Sequence, residues 1–141
     1  MSVPATLDHL VYAAPDLGQA IDRIEALLGV RPAKGGSHPS FGTCNALLSL
    51  GNAIYLEILA PDPDLPAPSR GRWTDHAPEG GGLMTWVVRS DSIEQTAQAA
   101  RRAGGAIGAV IPGERALPMA VCSNGNSPTP MRCRSVARFR S

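Results

Sequence analysis

Two polar side chains interrupt otherwise apolar strand patterns, and they are the residues of this sequence best suited to chemistry. Glu57 lies within the run IYLEILA, and His9 lies within LDHLVYAA. A carboxylate in the middle of a strand is costly unless it is paired with a cation, hydrogen-bonded or bound to a metal. Strand alternation puts Glu57 on one face with Tyr55 and Leu59, which fits a solvent-facing stripe as well as a cleft. A lone strand histidine more often bonds to a neighbour than to a metal. The residues alone therefore leave open whether this pair serves a site or the packing of the sheet.

Other reactive residue types lack the neighbours that their chemistry needs. Cys44 has no base near it in the sequence, so a nucleophilic role is not predicted. The three cysteines, Cys44, Cys122 and Cys133, have no CxxC spacing and predict neither a disulfide framework nor a zinc knuckle. Gly35-Gly36 is accompanied by no GxGxxG or GK[ST] pattern, which argues against a phosphate-binding loop.

The elements that must position His9 begin with a strand and a helix. The short apolar run Leu7–Ala14 predicts a buried strand. Apolar residues at helical spacing follow between Asp16, a predicted N-cap, and Gly29, a predicted C-terminal stop. Val30–Lys34 is predicted to be a short strand, and Gly35-Gly36 is predicted to open a loop.

A hairpin is predicted to carry Glu57. Two strand-like runs, Thr43–Leu50 and Ala53–Ala60, are joined by Gly51-Asn52. Both turn residues tolerate positive φ, as the tight turns that match strand twist require. The first half of the chain thus predicts strand, helix, strand, strand and strand.

The second half repeats the start of the first. Pro61–Gly82 is rich in Pro, Gly and Asp and predicts a long connector, which Trp73 would pin to the core. Leu83–Arg89 predicts a strand, and a helix follows from Ser92 to the stop at Gly104-Gly105. A shift of 76 residues superimposes the apolar stripe of the second helix on that of the first. Two βαββ-type halves related by a pseudo-twofold axis are the economical interpretation.

Composition and charge limit the classes of protein to which this chain can belong. A chain of 141 residues predicts one domain with one substantial core. No apolar run approaches the roughly 20 residues of a membrane span, and the start lacks a signal-peptide pattern, so a cytoplasmic location is expected. All 12 acidic residues lie at or before Glu114, whereas Arg132, Arg134, Arg138 and Arg140 crowd the end. The rest of the chain has a net charge of −3 without those four arginines. A basic tail of this kind could serve as a nucleic-acid arm.

Three motifs carry a family resemblance: LDHLVYAAPDLGQAIDRIEALLG, GGSHPSFGTCNALLSLG and YLEILAPDP, in that order. They resemble the glyoxalase-like branch of the vicinal oxygen chelate superfamily, and TWVVRSDSIE resembles its second module. The resemblance covers about residues 6–118. It implies an α+β fold of paired βαβββ modules whose sheets curl around a shared cleft. The implied boundaries are module one at 6–60, a connector at 61–82 and an incomplete module two at 83–118.

The resemblance also implies a site. In metal-dependent relatives the ligands come from the first and last strands of each module, which by position are His9 and Glu57 here. They would hold a divalent metal such as Mn, Zn, Ni or Fe. Thr85 stands where the repeat would place a second histidine, so His38, a water or a partner subunit would have to complete the shell. His38 and Asn45 are implied to line the cleft as ligand-binding residues, although polar residues near glycines are equally good turn formers.

The tail at 119–141 departs from the family, because it has no strand period and few large apolar residues. Reading its codons one base earlier permits a segment that resembles the family's P-D-G-x-x-L-x-W. We therefore hypothesise a one-base frameshift near Pro118, or a disordered tail. A frameshift would make the basic tail accidental, so no nucleic-acid partner is predicted. It would also remove the closing hairpin and leave a sheet edge unpaired.

Three functions remain open from the sequence. The leading hypothesis is a metal-dependent lyase, isomerase, hydrolase or dioxygenase acting on a small oxygenated metabolite, as a homodimer away from membranes. Fold-level analogy cannot choose among these reactions. The alternative is a metal-free small-molecule binding module of the resistance type, against which the aromatic content of 4% argues mildly. The third is a truncated, inactive fragment.

Overall fold

A computed structural model describes residues 5–106, 110 and 136–138 of the chain. The strands of this part are β1 (Ala5–Ala13), β2 (Ala33–His38), β3 (Thr43–Gly51), β4 (Ile54–Pro61), β5 (Gly82–Ser90) and β6 (Val136–Arg138). The helices are α1 (Leu17–Leu28) and α2 (Ile93–Arg102), with 3-10 turns at Pro39–Phe41 and Trp73–His76. The first half is therefore a complete βαβββ module. The α+β fold expected for the family is confirmed.

The strands form one sheet in the order β2-β3-β4-β1-β5-β6. β1 lies between the two halves, because it pairs with β4 in parallel and with β5 in antiparallel fashion. β2, β3 and β4 form an antiparallel meander. This order places His9, which lies on β1, beside the strand that carries Glu57.

Helix α1 has the ends that the sequence predicts. The Asp16 carboxylate accepts a hydrogen bond of 2.8 Å from the backbone N–H of Gln19, which satisfies a free donor of the first turn. Gly29 ends the helix in the left-handed conformation, with φ of 72°. The apolar stripe of α1 packs on one face of the sheet, where the buried residues are Ala20, Ile21 and Ile24 of the helix and Ala46, Leu48, Leu56 and Ile58 of the strands. This packing leaves the opposite face of the sheet for a site.

The second half begins like the first, with β5 followed by α2. β6 pairs with β5 over three residues, from Val87 to Arg89. The prediction of an unpaired sheet edge is therefore wrong for this stretch, because a short segment of the tail supplies backbone partners despite its weak strand pattern. The end of module two, the frameshift hypothesis near Pro118 and most of the 119–141 tail lie outside the described residues.

One predicted boundary in the first module is also wrong. Val30–Lys34 does not form a strand of that extent, and Gly35-Gly36 does not open a loop. Both glycines lie inside β2, which continues to His38. Within the described part of the chain, neither helix has the length and apolar character needed to cross a membrane.

Candidate functional site

The face of the sheet away from α1 carries both apolar and polar residues. Val11, Leu59 and Val87 form a second buried cluster there, and Trp73 of the connector packs against it. The connector is thus pinned by Trp73, as the sequence predicts. Side chains alternate along a strand, so Glu57 shares this face with Leu59, and His9 shares it with Val11.

His9 and Glu57 face each other across the parallel strands. The distance between His9 Nε2 and Glu57 Oε2 is 3.2 Å. Both residues are buried, each with 6% of its surface exposed. The ring of Tyr55 stacks on the imidazole, with centroids 4.6 Å apart and an interplanar angle of 16°. The imidazole plane is therefore fixed by packing as well as by polar contacts.

A second carboxylate binds the other nitrogen of the imidazole. Asp8 Oδ2 lies 2.8 Å from His9 Nδ1. The other oxygen of Asp8 lies 3.0 Å from Arg89 Nε, an ion pair without the alignment of a hydrogen bond. Arg89 Nη2 donates to the carbonyl oxygen of Ala53 at 2.5 Å. A carboxylate on the far nitrogen of a histidine orients the ring and selects its tautomer.

Asn45 of β3 holds the other side of Glu57. Its Nδ2 donates to Glu57 Oε1 at 2.7 Å. Burial by itself would raise the pKa of the Glu57 carboxyl, but the hydrogen bonds from His9 and Asn45 lower that pKa from 4.5 to about 2. Glu57 is therefore a carboxylate at physiological pH, and it is held from two sides.

His38 lies at the edge of the same polar cluster. Its Nδ1 is 3.2 Å from Thr43 Oγ1, and its Nε2 is 3.5 Å from Asn45 Nδ2. The structure thus brings together all four residues named from the sequence, His9, Glu57, His38 and Asn45. Asn45 lies between His38 and Glu57, with Nδ2 near both. Whether His38 and Asn45 contact a ligand stays a prediction.

The second half contributes one charged residue to the site, Arg89, and uncharged side chains at the positions paired with His9 and Val11. The register pairs Val11 with Thr85 and His9 with Val87. Thr85 lies on the face of Val87 by alternation, at the position equivalent to His9 in the first half. Among the described residues, no group of three His, Cys, Asp or Glu side chains is close enough to hold a metal ion.

Sequence reasoning missed Asp8, Arg89 and Tyr55 as parts of the site. Asp8 carried no local signal, since neighbouring side chains on a regular strand point to opposite faces; its contact with His9 coincides with a register irregularity between Leu7 and His9 in the β1–β5 pairing. Arg89 could not be found either, because only the pairing of β1 with β5 brings it to Asp8. Tyr55 could be placed on the face of Glu57 but not over the imidazole.

Comparisons with known proteins agree with this architecture. The family profile described as a glyoxalase-like domain matches residues 7–124. The crystal structure of methylmalonyl-CoA epimerase from Mycobacterium tuberculosis is similar, with a TM-score of 0.54 and 22% sequence identity. The similarity covers 73% of this chain and 67% of that chain, and at this identity it shows likeness of fold. A search of curated proteins finds no match. Since the profile spans most of the sequence, the chain belongs to the glyoxalase-like domain family of the vicinal oxygen chelate superfamily.

Proposed function

We propose that this protein is a divalent-metal-dependent enzyme that acts on a small oxygenated metabolite. The observation that carries the proposal is the pair of contacts on one imidazole. His9 Nε2 lies 3.2 Å from Glu57 Oε2, while Asp8 holds His9 Nδ1.

These contacts call for a positive charge between His9 and Glu57. When a neutral imidazole carries its proton on Nδ1 and this N–H makes a hydrogen bond to Asp8, Nε2 has a free lone pair. That lone pair then faces a carboxylate oxygen, and two acceptors do not attract each other. In the metal-free protein a proton on Nε2 resolves the conflict, and it makes the hydrogen bond that lowers the pKa of Glu57. A divalent cation that replaced this proton would resolve it equally. The second solution matches the carboxylate–histidine–metal arrangement that is common in metal sites.

The donor set fits a borderline divalent ion. Imidazole nitrogen with carboxylate oxygen suits Zn, Mn, Fe or Ni. Two ligands that are each about 2.1 Å from one metal lie roughly 3.0–3.4 Å apart, and the separation of 3.2 Å between the two donors agrees. His9 and Glu57 would hold the ion, and water or two adjacent substrate oxygens would take the remaining positions. A bound ion would supply Lewis-acid polarisation of those oxygens.

The chain's own residues would position and shield the substrate. Glu57 keeps its negative charge at physiological pH, because its pKa is about 2. The apolar cluster of Val11, Leu59 and Val87 under Trp73 lies on the same face and would keep bulk water from one side of the site. Isomerase, lyase, hydrolase and dioxygenase substrates with adjacent oxygens are all worth screening. Epimerisation belongs among them, since an epimerase shares the fold.

The metal content of the purified protein tests the proposal. The protein is incubated with Mn²⁺, Zn²⁺ or Ni²⁺ and dialysed, and the bound metal is measured by plasma mass spectrometry. We expect near-stoichiometric metal in the wild type and its loss in His9→Ala and in Glu57→Ala. His76→Ala is the matched control, because His76 is exposed in the connector and should leave the metal content unchanged. Metal that persists in His9→Ala, or none in the wild type, would refute the proposal.

A metal-free binding module is the second candidate. The observation that favours it is that, among the described residues, no group of three His, Cys, Asp or Glu side chains could hold a metal ion. The metal site could instead gain a third ligand from the second copy of a homodimer. Light scattering would measure whether the protein is a dimer. A wild type that binds no metal but changes its tryptophan fluorescence with small amphiphilic compounds would favour the binding module.

A further inference from the structure

One turn of the connector lies on the apolar cluster beside His9 and Glu57. This 3-10 turn, Trp73–His76, carries an indole that packs against the buried side chains of Val11, Leu59 and Val87. The cluster adjoins the pair of His9 and Glu57 along β1 and β4, because residues two apart on a strand share a face. A side chain of the protein itself thus occupies this part of the face.

Polar anchors hold the chain on both sides of the turn. Before it, Arg72 donates from Nε to the carbonyl oxygen of Gly42 at 2.7 Å and from Nη2 to that of Leu65 at 2.8 Å. After it, the carbonyl oxygen of Gly80 accepts a hydrogen bond of 3.0 Å from Arg23 Nη1. Both ends of the segment from Arg72 to Gly80 are therefore tied to the first half of the fold.

Between these anchors, the turn makes no hydrogen bond or ion pair to the sheet within the described part of the chain. Its hydrogen bonds are local, such as those from the Asp75 N–H to the Arg72 carbonyl at 3.1 Å and from the Ala77 N–H to the Thr74 carbonyl at 3.0 Å. Thr74 is buried, with 3% exposed, yet its Oγ1 has no partner among the described residues. A buried hydroxyl without a partner favours a state in which water reaches it. Apolar contact therefore holds the closed turn on the sheet, and the Thr74 hydroxyl opposes it.

We propose that Trp73–His76 is a flap that lifts from the sheet, so that an aromatic molecule of about the size of indole replaces the Trp73 side chain on the cluster. The indole ring now seated there gives the size and shape that this face accepts. A ligand must compete with this tethered ring, so its apparent affinity is scaled down by the fraction of molecules in which the flap is open. This inference goes beyond the proposed function and requires no metal at His9 and Glu57.

The reactivity of buried thiols tests whether the flap lifts. Thr74→Cys and Ala46→Cys are treated with N-ethylmaleimide as folded full chains, and peptide mass spectrometry follows the labelling of each site. Thr74 lies in the flap, whereas Ala46 is fully buried under α1 on the other face. Urea unfolding of both variants gives the rate that global unfolding alone would produce.

The two thiols should react through different openings. We expect Thr74→Cys to react at least about 10-fold faster than global unfolding allows, because a local opening costs less free energy. Ala46→Cys should react at the rate of global unfolding. Labelling of Thr74→Cys that also follows global unfolding would overturn the proposal.

Binding of free indole tests what the flap admits. Trp73→Ala removes the tethered ring, so indole should bind to this variant at least about 10-fold more tightly than to the wild type in a calorimetric titration. Trp86→Ala is the matched control, since Trp86 pairs with Leu10 on the opposite face and should leave the affinity at its wild-type value. Equal affinity in the wild type and Trp73→Ala, or an equal gain in Trp86→Ala, would overturn the proposal.

A final readout does not require Trp73→Ala to fold. Indole that takes the place of the Trp73 ring keeps the flap lifted, so it should raise the labelling rate of Thr74→Cys. The same indole covers the cluster, so it should lower the labelling rate of Val11→Cys. A rise at both positions would mean that indole unfolds the chain, and a fall at both would mean that it closes the flap. Either result would overturn the proposal.

Discussion

The ionised Glu57 carboxylate should make the stability of the metal-free protein depend on pH. Burial alone would raise the pKa of Glu57, yet the hydrogen bonds from His9 and Asn45 lower it from 4.5 to about 2. Protonation of the folded state breaks a favourable arrangement that the unfolded state lacks. The free energy of unfolding must therefore fall as protons bind.

The sign and size of the effect follow from the two pKa values. Because the folded pKa lies below the unfolded value, the contribution is fully present above pH 4.5 and is lost as pH falls through 2. The difference between the two values corresponds to about 3 kcal/mol of unfolding free energy. Roughly 2 kcal/mol of this would disappear between about pH 5 and pH 3. The side chain is only 8% exposed, so solvent screening reduces the figure little.

Urea unfolding measures the effect, with tryptophan fluorescence as the signal and a chelator present to keep the protein metal-free. We expect the loss of stability from about pH 5 to pH 3 to be about 2 kcal/mol smaller in Glu57→Gln than in the wild type. Glu79→Gln is the control, since Glu79 is exposed. Asp62 also has a lowered pKa, because Ser37 donates a hydrogen bond to its carboxylate. Asp62 is present in every variant, so its contribution to the pH dependence is the same in each and drops out of the comparison. Equal pH dependence in the wild type and Glu57→Gln would refute the reasoning.

Two further predictions concern the backbone. Gly42→Ala should lower the free energy of unfolding by at least about 1–2 kcal/mol, because Gly42 has φ of 62° and a Cβ there would lie 2.7 Å from the carbonyl oxygen of Pro66. Urea unfolding measures this, and an unchanged midpoint would contradict it. Ala53→Gly should raise the thermal midpoint, with a gain of up to about 1 kcal/mol, because Ala53 is held at φ of 58° in the β3–β4 turn. A lower midpoint would show that the flexibility added to the unfolded chain outweighs the relief of strain.

The elements that carry the site could be predicted from local patterns. The caps and the apolar stripe of α1 are encoded within a few residues of the chain. The β3–β4 turn lies at Asn52-Ala53, one residue later than the predicted Gly51-Asn52, and Ser92 at the start of α2 makes no side-chain cap. The pairing of His9 with Glu57 came from the family resemblance, since the strand pattern alone fitted either face. The contact between the two side chains depends on the parallel pairing of β1 with β4, which no local sequence pattern reveals.

The parts that could not be predicted depend on contacts between distant segments. Gly35 and Gly36 looked like loop residues, because glycine is usually found where the chain turns. Gly35 leaves room for the amide of Asn45 on the next strand, since a Cβ there would lie 2.1 Å from Asn45 Oδ1, and Gly36 donates its backbone N–H to the same oxygen. Likewise, the ion pair of Asp8 with Arg89 requires the junction of the two halves. No local pattern contains that information.

The pairing of β1 with β5 has a stereochemical consequence. Around the pair of Leu10 with Trp86, the two strands are related by an approximate twofold axis, which exchanges His9 with Thr85 and Val11 with Val87. A face with equal halves would accept a ligand in either of two flipped poses. An imidazole on one side and a hydroxyl on the other remove that degeneracy. A molecule with one chelating end would then enter in a single orientation, so a scaffold built by duplication could distinguish the two faces of a prochiral carbon.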